Sequence, residues 1–467
     1  MLRPQPVVSG VGVLRSPFVA ITMKQSSFVA VILFVMLPSL AAWAEEKPVS
    51  FRAEIAPLLI ERCVACHGPK KAEGGYRADS FHRAMAEGDS GSPGFAGGSI
   101  DTSEAFRRMI STDLAERMPA ESDPLPAEQI ALIRRWIEEG AKFDGPDPQA
   151  DLVSVIPAPQ HPKAPEAYPF TMPVTALLFS QDGKELFVGG YHELTVWNPE
   201  DGKLIRRIGN VGQRTYGLDL SPDGQTLAVA CGAPGKFGEA RLFNPATGEL
   251  KTVVGPSSDV VLDVAFNPAG DHLAVASADG ILRVFNVATG AQLLLVSSHS
   301  DWVNSVAWSP DGSKIATGSR DKTAKVIDAK TGELLVTYSG HGEPVKGVTF
   351  HPGGAEVFSS GSDSRIHRWA VADGKKATEV RLGGEVYKLV KGGDHLFATS
   401  ADKTVRHFAA GAFSQTRSLA GHQDWVISVA GNVAAKRIAS GGFDGEVRVW
   451  NLDDGNQVSK FLAAPGK

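Results

Sequence analysis

Residues 421–451 read GHQDWVISVAGNVAAKRIASGGFDGEVRVWN, and this stretch decides the fold of most of the chain. It contains three short runs in which apolar residues alternate with polar or small ones, and turn sequences separate the runs. Alternation with a period of two is the pattern of a half-buried β-strand. The stretch therefore predicts three consecutive strands, the third of which ends near Trp450.

The same unit recurs along residues 173–464, and its third strand carries a large apolar residue at an equivalent position each time. These residues are Trp197, Phe243, Phe285, Ile327, Trp369, Phe408 and Trp450, with spacings of 46, 42, 42, 42, 39 and 42 residues. A repeat of this length with four short strands per unit is typical of a β-propeller. We predict an all-β, seven-bladed propeller over residues 173–467.

Two of these units, residues 298–328 and 421–451, resemble WD repeats along their whole length. The resemblance implies a structural hydrogen-bond tetrad in the last blade, formed by His422, Ser440, Asp444 and Trp450. Blades one and two depart from the family, since Tyr191 and Phe237 stand at the Asp position. The segment Val458 to Leu462 is expected to complete the last blade from its own sequence.

Upstream of the repeats, the sequence Cys63-Val64-Ala65-Cys66-His67 is the attachment motif for c-type haem. Two thiols one turn apart can bond the two vinyl groups, and the adjacent His67 is then held beneath the iron as proximal ligand. The alternatives are a Cys63–Cys66 disulfide or half of a zinc site. A zinc site would need two further ligands, and the third cysteine, Cys231, stands alone in a strand-like stretch. We predict one covalent haem c.

A low-spin haem for electron transfer needs a sixth ligand, commonly methionine. Met118 is the preferred distal ligand, because it lies in an extended segment next to Pro119, just before the last helix. His82 and Met85 are competing donors. Met109 is a third, although it falls within a predicted helix and is expected to pack in the core.

The region 49–144 resembles the planctomycete-type cytochrome c domain. The matching pieces are FRAEIAPLLIERCVACHG (51–68) and ERMPAESDPLPAEQIALIRRWIEEGA (116–141). The resemblance implies a small all-α cytochrome c domain, which we place at residues 45–144. It also implies that the first helix leads into the haem motif, that Met118 is the axial methionine, and that the last helix packs across the first.

The N-terminal 44 residues are typical of an export signal preceded by an upstream extension. Met23-Lys24 opens a short positive region, Phe28 to Leu37 is apolar, and Ala42-Trp43-Ala44 provides the small residues of a cleavage site. We expect translation to start at Met23 and the mature protein to be periplasmic or otherwise exported. The alternative is an uncleaved anchor, but the apolar run is short for a membrane span.

Residues 145–172 contain seven prolines, which predicts a stiff, extended linker. The net charge of −5 offers no basic excess for phosphate contacts, so we expect no nucleic-acid partner. After cleavage of the signal we expect no membrane span. The segment Gly88 to Pro93 echoes a serine-protease nucleophile loop, but too little chain precedes it to build that fold.

The propeller offers a candidate docking surface for a redox partner or another protein. Asp301-Trp302 and Asp424-Trp425 each follow a histidine by the same offset and precede an innermost strand, and Arg320 and Phe443 immediately precede the tetrad Asp of the same blades. Exposed Trp and Arg are common interface anchors. The alternative is that both tryptophans pack against neighbouring blades. The scattered propeller histidines do not suggest a second metal site.

The sequence thus favours an exported electron carrier over an enzyme: a His/Met haem passes single electrons and the propeller docks a partner. One alternative is an interaction scaffold with a structural or sensory haem. Another is an oxidoreductase resembling the nitrite reductases that join cytochrome c to a propeller. Those enzymes use eight blades and propeller histidines as haem ligands, which the predicted seven WD-type blades do not match.

Overall fold

A computed structural model describes residues 47–68, 71–120, 122–145 and 147–466. The predicted export signal, residues 1–44, lies outside the described residues. The chain from Val49 to Lys467 forms one compact unit, in which a helical region precedes seven four-stranded sheets. Each helix of the described ranges is too short or too polar to cross a bilayer.

The helical region contains one longer helix and several short ones. They are a π-helical turn Phe51–Ile55, α1 Ala56–Arg62, a 3₁₀ turn Glu73–Gly75, α2 Phe81–Met85, α3 Glu104–Met109, α4 Ala127–Glu138 and α5 Leu152–Val155. The prediction of a helical N-terminal region is confirmed at this level.

The start of the first helical segment is set by a side-chain cap, and its apolar stripe forms the core. The Ser50 hydroxyl accepts a hydrogen bond from the backbone N–H of Ala53 at 3.0 Å, which satisfies one of the free donors at the helix start. Phe51 and Ile55 are fully buried, and the ring of Phe51 lies 5.4 Å from that of Trp136 on α4. The first and last helices of the region 49–144 therefore share one core.

The predicted linker, residues 145–172, contains a helical turn that the sequence did not reveal. The α5 residues Leu152 and Val155 are buried in the helical core, the Leu152 N–H donates to Asp79 O at 2.9 Å, and Arg52 Nε donates to Val155 O at 2.6 Å. The prediction of a wholly extended linker is wrong here, because two apolar residues three apart are enough to bury one turn but too few to show a period.

The sheets form a propeller, each with the strand order of the sequence. Blades 1 to 4 are β1 Leu177–Phe179, β2 Leu186–Gly189, β3 Leu194–Trp197, β4 Leu204–Ile208; β5 Arg214–Leu220, β6 Leu227–Ala233, β7 Phe237–Phe243, β8 Leu250–Ser257; β9 Val261–Phe266, β10 His272–Ser277, β11 Leu282–Asn286, β12 Gln292–Val296; β13 Val303–Trp308, β14 Lys314–Ser319, β15 Ala324–Asp328 and β16 Leu334–Tyr338. Blades 5 to 7 are β17 Val345–Phe350, β18 Glu356–Gly361, β19 Arg365–Ala370, β20 Lys376–Arg381; β21 Val386–Gly392, β22 His395–Ser400, β23 Thr404–Ala409, β24 Ser414–Ala420; β25 Val426–Asn432, β26 Arg437–Gly442, β27 Glu446–Asn451 and β28 Gln457–Leu462. The prediction of seven blades is confirmed.

The ring closes by packing rather than by exchange of a strand. The last blade takes all four strands, including β28, from its own sequence, as expected. Between blades 7 and 1, the Val174 N–H donates to Gly442 O at 3.1 Å, and the Ser428 hydroxyl donates to Val174 O. The rings of Trp197 and Phe461 stack at 4.8 Å across the same seam. Closure therefore depends on backbone and side-chain contacts between the first and last blades.

Blade 5 contains a complete structural tetrad. His341 Nδ1 lies 2.8 Å from Asp363 Oδ2, and its Nε2 lies 2.8 Å from Ser359 Oγ. Trp369 Nε1 donates to the same hydroxyl at 3.0 Å. The four side chains tie the loop before the innermost strand to the second and third strands, and thereby fix the edge of the blade.

Blade 7 has only part of the tetrad that the resemblance implied. His422 Nε2 lies 2.7 Å from Ser440 Oγ, and Trp450 Nε1 donates to that hydroxyl at 2.9 Å. However, His422 Nδ1 is buried with no hydrogen-bond partner in the described part of the chain. Asp444 Oδ1 accepts the backbone N–H of Glu446 instead, at 3.0 Å. The predicted role of Asp444 in the tetrad is therefore wrong. Asp363 of blade 5 makes the equivalent turn contact, to the Arg365 N–H at 3.1 Å, and also reaches its histidine, whereas Asp444 makes only the turn contact.

Blades 1 and 2 lack the tetrad, as expected from Tyr191 and Phe237 at the position of its aspartate. Their buried carboxylates are Glu193 and Glu239, which pair with Arg207 and Arg241 of the same blades, each at 2.6 Å. The linker adds a second polar partner to each. The Tyr168 hydroxyl donates to Glu193 Oε1 at 2.6 Å, and His161 Nε2 lies 2.5 Å from Glu239 Oε1. Residues 157–172 thus lie against the propeller as an extended strap.

We predict that the propeller loses stability as the pH falls below the pKa of a free histidine. Burial lowers the pKa of His367, His407 and His422 to about 4, whereas an unfolded histidine titrates near ~6.5. Between these values the unfolded state binds more protons, so stability present at pH 7 is lost as pH falls. Burial raises the pKa of Asp219 to about 7, so this carboxyl binds a proton more readily in the folded state. Its effect on stability has the opposite sign and offsets that of one of the three histidines.

We expect the melting temperature to fall by roughly 5–10 °C from pH 7 to pH 5. His422→Asn should lower the melting temperature at pH 7 and make the decline shallower. His82→Gln changes an exposed histidine of the helical region and is the matched control. A melting temperature that stays constant from pH 7 to pH 5 would contradict the prediction.

Candidate cofactor site and docking rim

The helical region contains a cavity of about 360 Å³, within the size range of small-molecule and cofactor sites. Its wall is formed mainly by apolar side chains. The residues that matter for the chemistry are Leu59, Cys63, His67, Phe95, Met109 and Met118. The cavity thus brings together the first cysteine and the histidine of the sequence motif with two of the methionines considered as distal ligands.

A tight turn after α1 places the motif at this wall. The Cys63 N–H still donates to Leu59 O at 2.9 Å, as in a helix, and the His67 N–H then donates to Cys63 O at 2.8 Å. Cys63 and Cys66 are free thiols and both are partly exposed. Burial, with a smaller contribution from Cys66, raises the pKa of the Cys63 thiol to about 12. The alternative of a Cys63–Cys66 disulfide is not what the structure contains.

His67 has an unusual environment for an imidazole. Its Nδ1 is buried and has no hydrogen-bond partner among residues 47–68, 71–120, 122–145 and 147–466. Its ring lies edge-on to Tyr76 at 5.4 Å, and its carbonyl accepts the Ala78 N–H at 2.7 Å. A buried polar atom without a partner is rare and points to a missing ligand, ion or water. The histidine is therefore fixed in place while its hydrogen-bonding capacity is unused.

Two sulfur donors line the cavity. Met118 is half-buried in the segment before α4, and its N–H donates to Arg108 O at 3.1 Å. Met109 ends α3 and is buried in the core, as the sequence predicted, but it also reaches the cavity wall. His82 and Met85 are not among the lining residues, and His82 is exposed. The structure reduces the competing donors to Met118 and Met109.

Charged residues at the cavity were missed in the sequence. Glu104 and Arg108 both line it and form an ion pair at 2.8 Å. Hydrogen bonds, first from Arg107 and then from Arg108, lower the pKa of Glu104 to about 2. Arg107 also reaches Glu116 at 3.1 Å, which ties the segment before Met118 to α3. The Glu-x-x-x-Arg spacing in the sequence indicates the ion pair between Glu104 and Arg108. No local sequence pattern indicates that this pair lies beside the haem motif.

The propeller residues proposed for docking lie on the loop rim, the edge formed by the loops before the innermost strands and the turns between second and third strands. Trp302, Trp425 and Phe443 are 39%, 46% and 48% exposed. Both tryptophans are therefore partly exposed on the rim, although Trp425 also lies 6.2 Å from Tyr387 of the neighbouring blade 6. The Arg320 guanidinium lies 4.7 Å from the Trp302 ring centroid, a cation–π distance.

The aspartates of the two Asp-Trp pairs have a structural role. Asp301 and Asp424 each accept the backbone N–H of the following tryptophan at 2.8 Å. These bonds hold the loop in the shape that exposes the indole ring. The ring of Trp425 lies 5.7 Å from that of Phe443 within blade 7. The contact surface is thus formed by the aromatic and arginine side chains.

One grouping in the propeller has the spacing of metal ligands. Donor atoms of His341, Asp363 and His367 lie within 4.8 Å of one another. Both nitrogens of His341 are already used in the blade 5 tetrad, and His367 Nδ1 lies 2.7 Å from the Tyr338 hydroxyl. These hydrogen bonds occupy three of the four imidazole nitrogens, whereas His367 Nε2 is buried without a hydrogen-bond partner in the described part of the chain.

Comparison with known proteins agrees with this architecture. The chain matches the family described as planctomycete cytochrome C over residues 63–122. It matches the WD domain, G-beta repeat family over residues 248–286, 290–328, 332–370 and 413–451. Each WD match begins at the outermost strand of one blade and ends with the third strand of the next. No curated protein matches the chain. Both resemblances are confirmed: a segment of the planctomycete cytochrome c type precedes a seven-bladed propeller that is partly built from WD repeats.

Proposed function

We propose that the helical region carries one covalent haem c and transfers single electrons, while the propeller docks the redox partner. Thioether bonds from Cys63 and Cys66 attach the haem, and His67 and Met118 are its axial ligands. The main observation in support of this proposal is that Cys63, His67 and Met118 line the same largely apolar cavity. The family match over residues 63–122 supports haem binding independently.

The residues present fit such a group. Free thiols are available at the end of α1, and Nδ1 of the partly buried His67 has no hydrogen-bond partner in the described part of the chain. When bound, a haem iron supplies reversible one-electron redox chemistry. The chain's own contribution is to hold the imidazole and the thioether, and a methionine ligand favours the reduced state. Leu59 and Phe95 contribute apolar surface to the cavity wall.

Export is part of the same proposal. Covalent attachment of haem c takes place outside the cytoplasm, so the protein must leave it before maturation. The apolar run Phe28 to Leu37 followed by Ala42-Trp43-Ala44 supports a cleaved signal. We therefore place the mature protein in the periplasm.

The propeller's part is recognition. Three exposed aromatic side chains and Arg320 on the loop rim are of the kinds that anchor protein interfaces. Seven blades, with histidines committed to tetrads, do not match the propeller–cytochrome oxidoreductases. The function is therefore that of a carrier with a docking platform rather than that of a catalytic enzyme.

Replacing the paired cysteines tests covalent attachment. After periplasmic expression with haem-maturation machinery, the purified full chain should keep its haem through denaturing electrophoresis. The double variant Cys63→Ser with Cys66→Ser should lose it, because no thioether can form. Cys231→Ser, which alters a buried cysteine in β6, should keep it. A colourless wild-type protein would contradict the proposal.

Replacing the methionines tests the distal ligand. Met118→Ala should abolish the near-infrared sulfur-to-iron band of the oxidised protein and lower its midpoint potential, because a thioether ligand favours ferrous iron. Met109→Ala should keep the band, although it removes a core side chain and lowers stability by about 2–5 kcal/mol. Retention of the band in Met118→Ala and its loss in Met109→Ala would assign the ligand to Met109.

A further inference from the structure

The strap, residues 157–172, shows how the loop rim holds an extended chain. Arg241 Nη2 donates to Pro159 O at 2.6 Å, and Arg207 donates to Pro165 O at 2.5 Å and to Glu166 O at 2.9 Å. Proline has no N–H, so a proline-containing segment presents mainly carbonyl acceptors. Arginine side chains are the complementary donors on this rim.

Two further contacts hold the strap, one to an aromatic ring of blade 2 and one to the backbone of blade 1. The His161 ring stacks on Phe237 at 5.2 Å, and the Tyr168 hydroxyl accepts the backbone N–H of Tyr191 at 2.9 Å. Phe237 and Tyr191 are the residues that replace the tetrad Asp in blades 1 and 2. Extended proline-rich segments lose little entropy on binding and are often recognised on aromatic surfaces. Blades 1 and 2 thus bind such a segment from the chain itself.

Aromatic side chains are also exposed on the rim of blades 4 and 7, and on blade 4 an arginine accompanies them. Blade 4 presents Trp302 with Arg320 against its ring. Blade 7 presents Trp425 and Phe443, and Tyr387 of blade 6 lies 6.2 Å from Trp425. The strap also reaches this side, since Met172 O lies beside Gly445 of blade 7. The rim is therefore covered by the strap at blades 1 and 2 and exposed at blades 4 and 7.

Resting on the proposed docking function, we propose that the rim of blades 4 to 7 binds an extended, proline-containing segment of the partner protein. Arg320 donates to its carbonyl groups, and Trp302, Trp425 and Phe443 pack against its prolines.

Charge argues against the other occupants. Arg320 is balanced by Asp301, whose Oδ2 lies 3.7 Å from its Nε. Asp424 lies beside Trp425, and Glu343 and Glu385 stand on the loops of blades 5 and 6. A nucleic acid, an anionic membrane or a strongly acidic peptide would meet these carboxylates. A segment that is neutral and rich in carbonyl acceptors meets no such repulsion.

Binding of a fluorescently labelled peptide of ten prolines to the full, haem-loaded chain tests the proposal. Fluorescence anisotropy should show saturable binding, whereas a Gly-Ser peptide of equal length should bind at least tenfold more weakly. Trp302→Ala and the double variant Trp425→Ala with Phe443→Ala should each weaken binding at least tenfold. Leu295→Ala, which removes a 53% exposed side chain from β12, is the matched control and should bind like wild type.

Other outcomes would overturn the proposal. They are the absence of saturable binding, equal binding of the Gly-Ser peptide, or rim variants that bind like wild type while keeping the wild-type melting temperature. Loss of binding in Arg207→Ala, with the rim variants unaffected, would mean that the peptide displaces the strap from blade 1 instead of binding to blades 4 to 7. In each case an intact haem spectrum would still support the proposed electron-transfer function. Failure of peptide binding can therefore be distinguished from failure of the haem proposal.

Discussion

The chemistry of the chain depends on one backbone hydrogen bond, from the His67 N–H to the Cys63 carbonyl at 2.8 Å. It turns the end of α1 so that the first thiol and the imidazole face the same cavity. The turn can be held because the preceding helical segment is anchored through Phe51 and Ile55, both fully buried. Burial of two such side chains is worth about 1.5–3 kcal/mol each, which opposes fraying of a short helix.

The propeller obeys a second constraint: the top of each blade must satisfy the polar groups that it buries. Blade 5 does so with a tetrad around His341, and blade 7 does so incompletely at His422. Blades 1 and 2 bury Glu193 and Glu239, which would be costly alone. Arg207 and Arg241 pair with them from the same blades, and the strap adds hydrogen bonds from Tyr168 and His161, so it is a structural part of the propeller.

Local patterns in the sequence were sufficient for the repeat and the haem motif. Strand alternation and the spacing from Trp197 to Trp450 require no knowledge of distant contacts, and they gave the number of blades. The missing bond between Asp444 and His422 left no local signal, because Asp444 accepts the backbone N–H two residues on just as Asp363 does in the complete tetrad. The helical turn at Leu152 and the exposure of Trp302 depend on packing between remote segments. Such contacts leave no local periodicity.

The chain between α5 and the strap also limits how far the helical region can move from blade 2. At one end, Val155 O is bound by Arg52 of the helical region, and at the other, Pro159 O is bound by Arg241 of blade 2. Four residue steps span at most about 14 Å. The segment that packs on blades 1 and 2 therefore also holds the helical region close to blade 2.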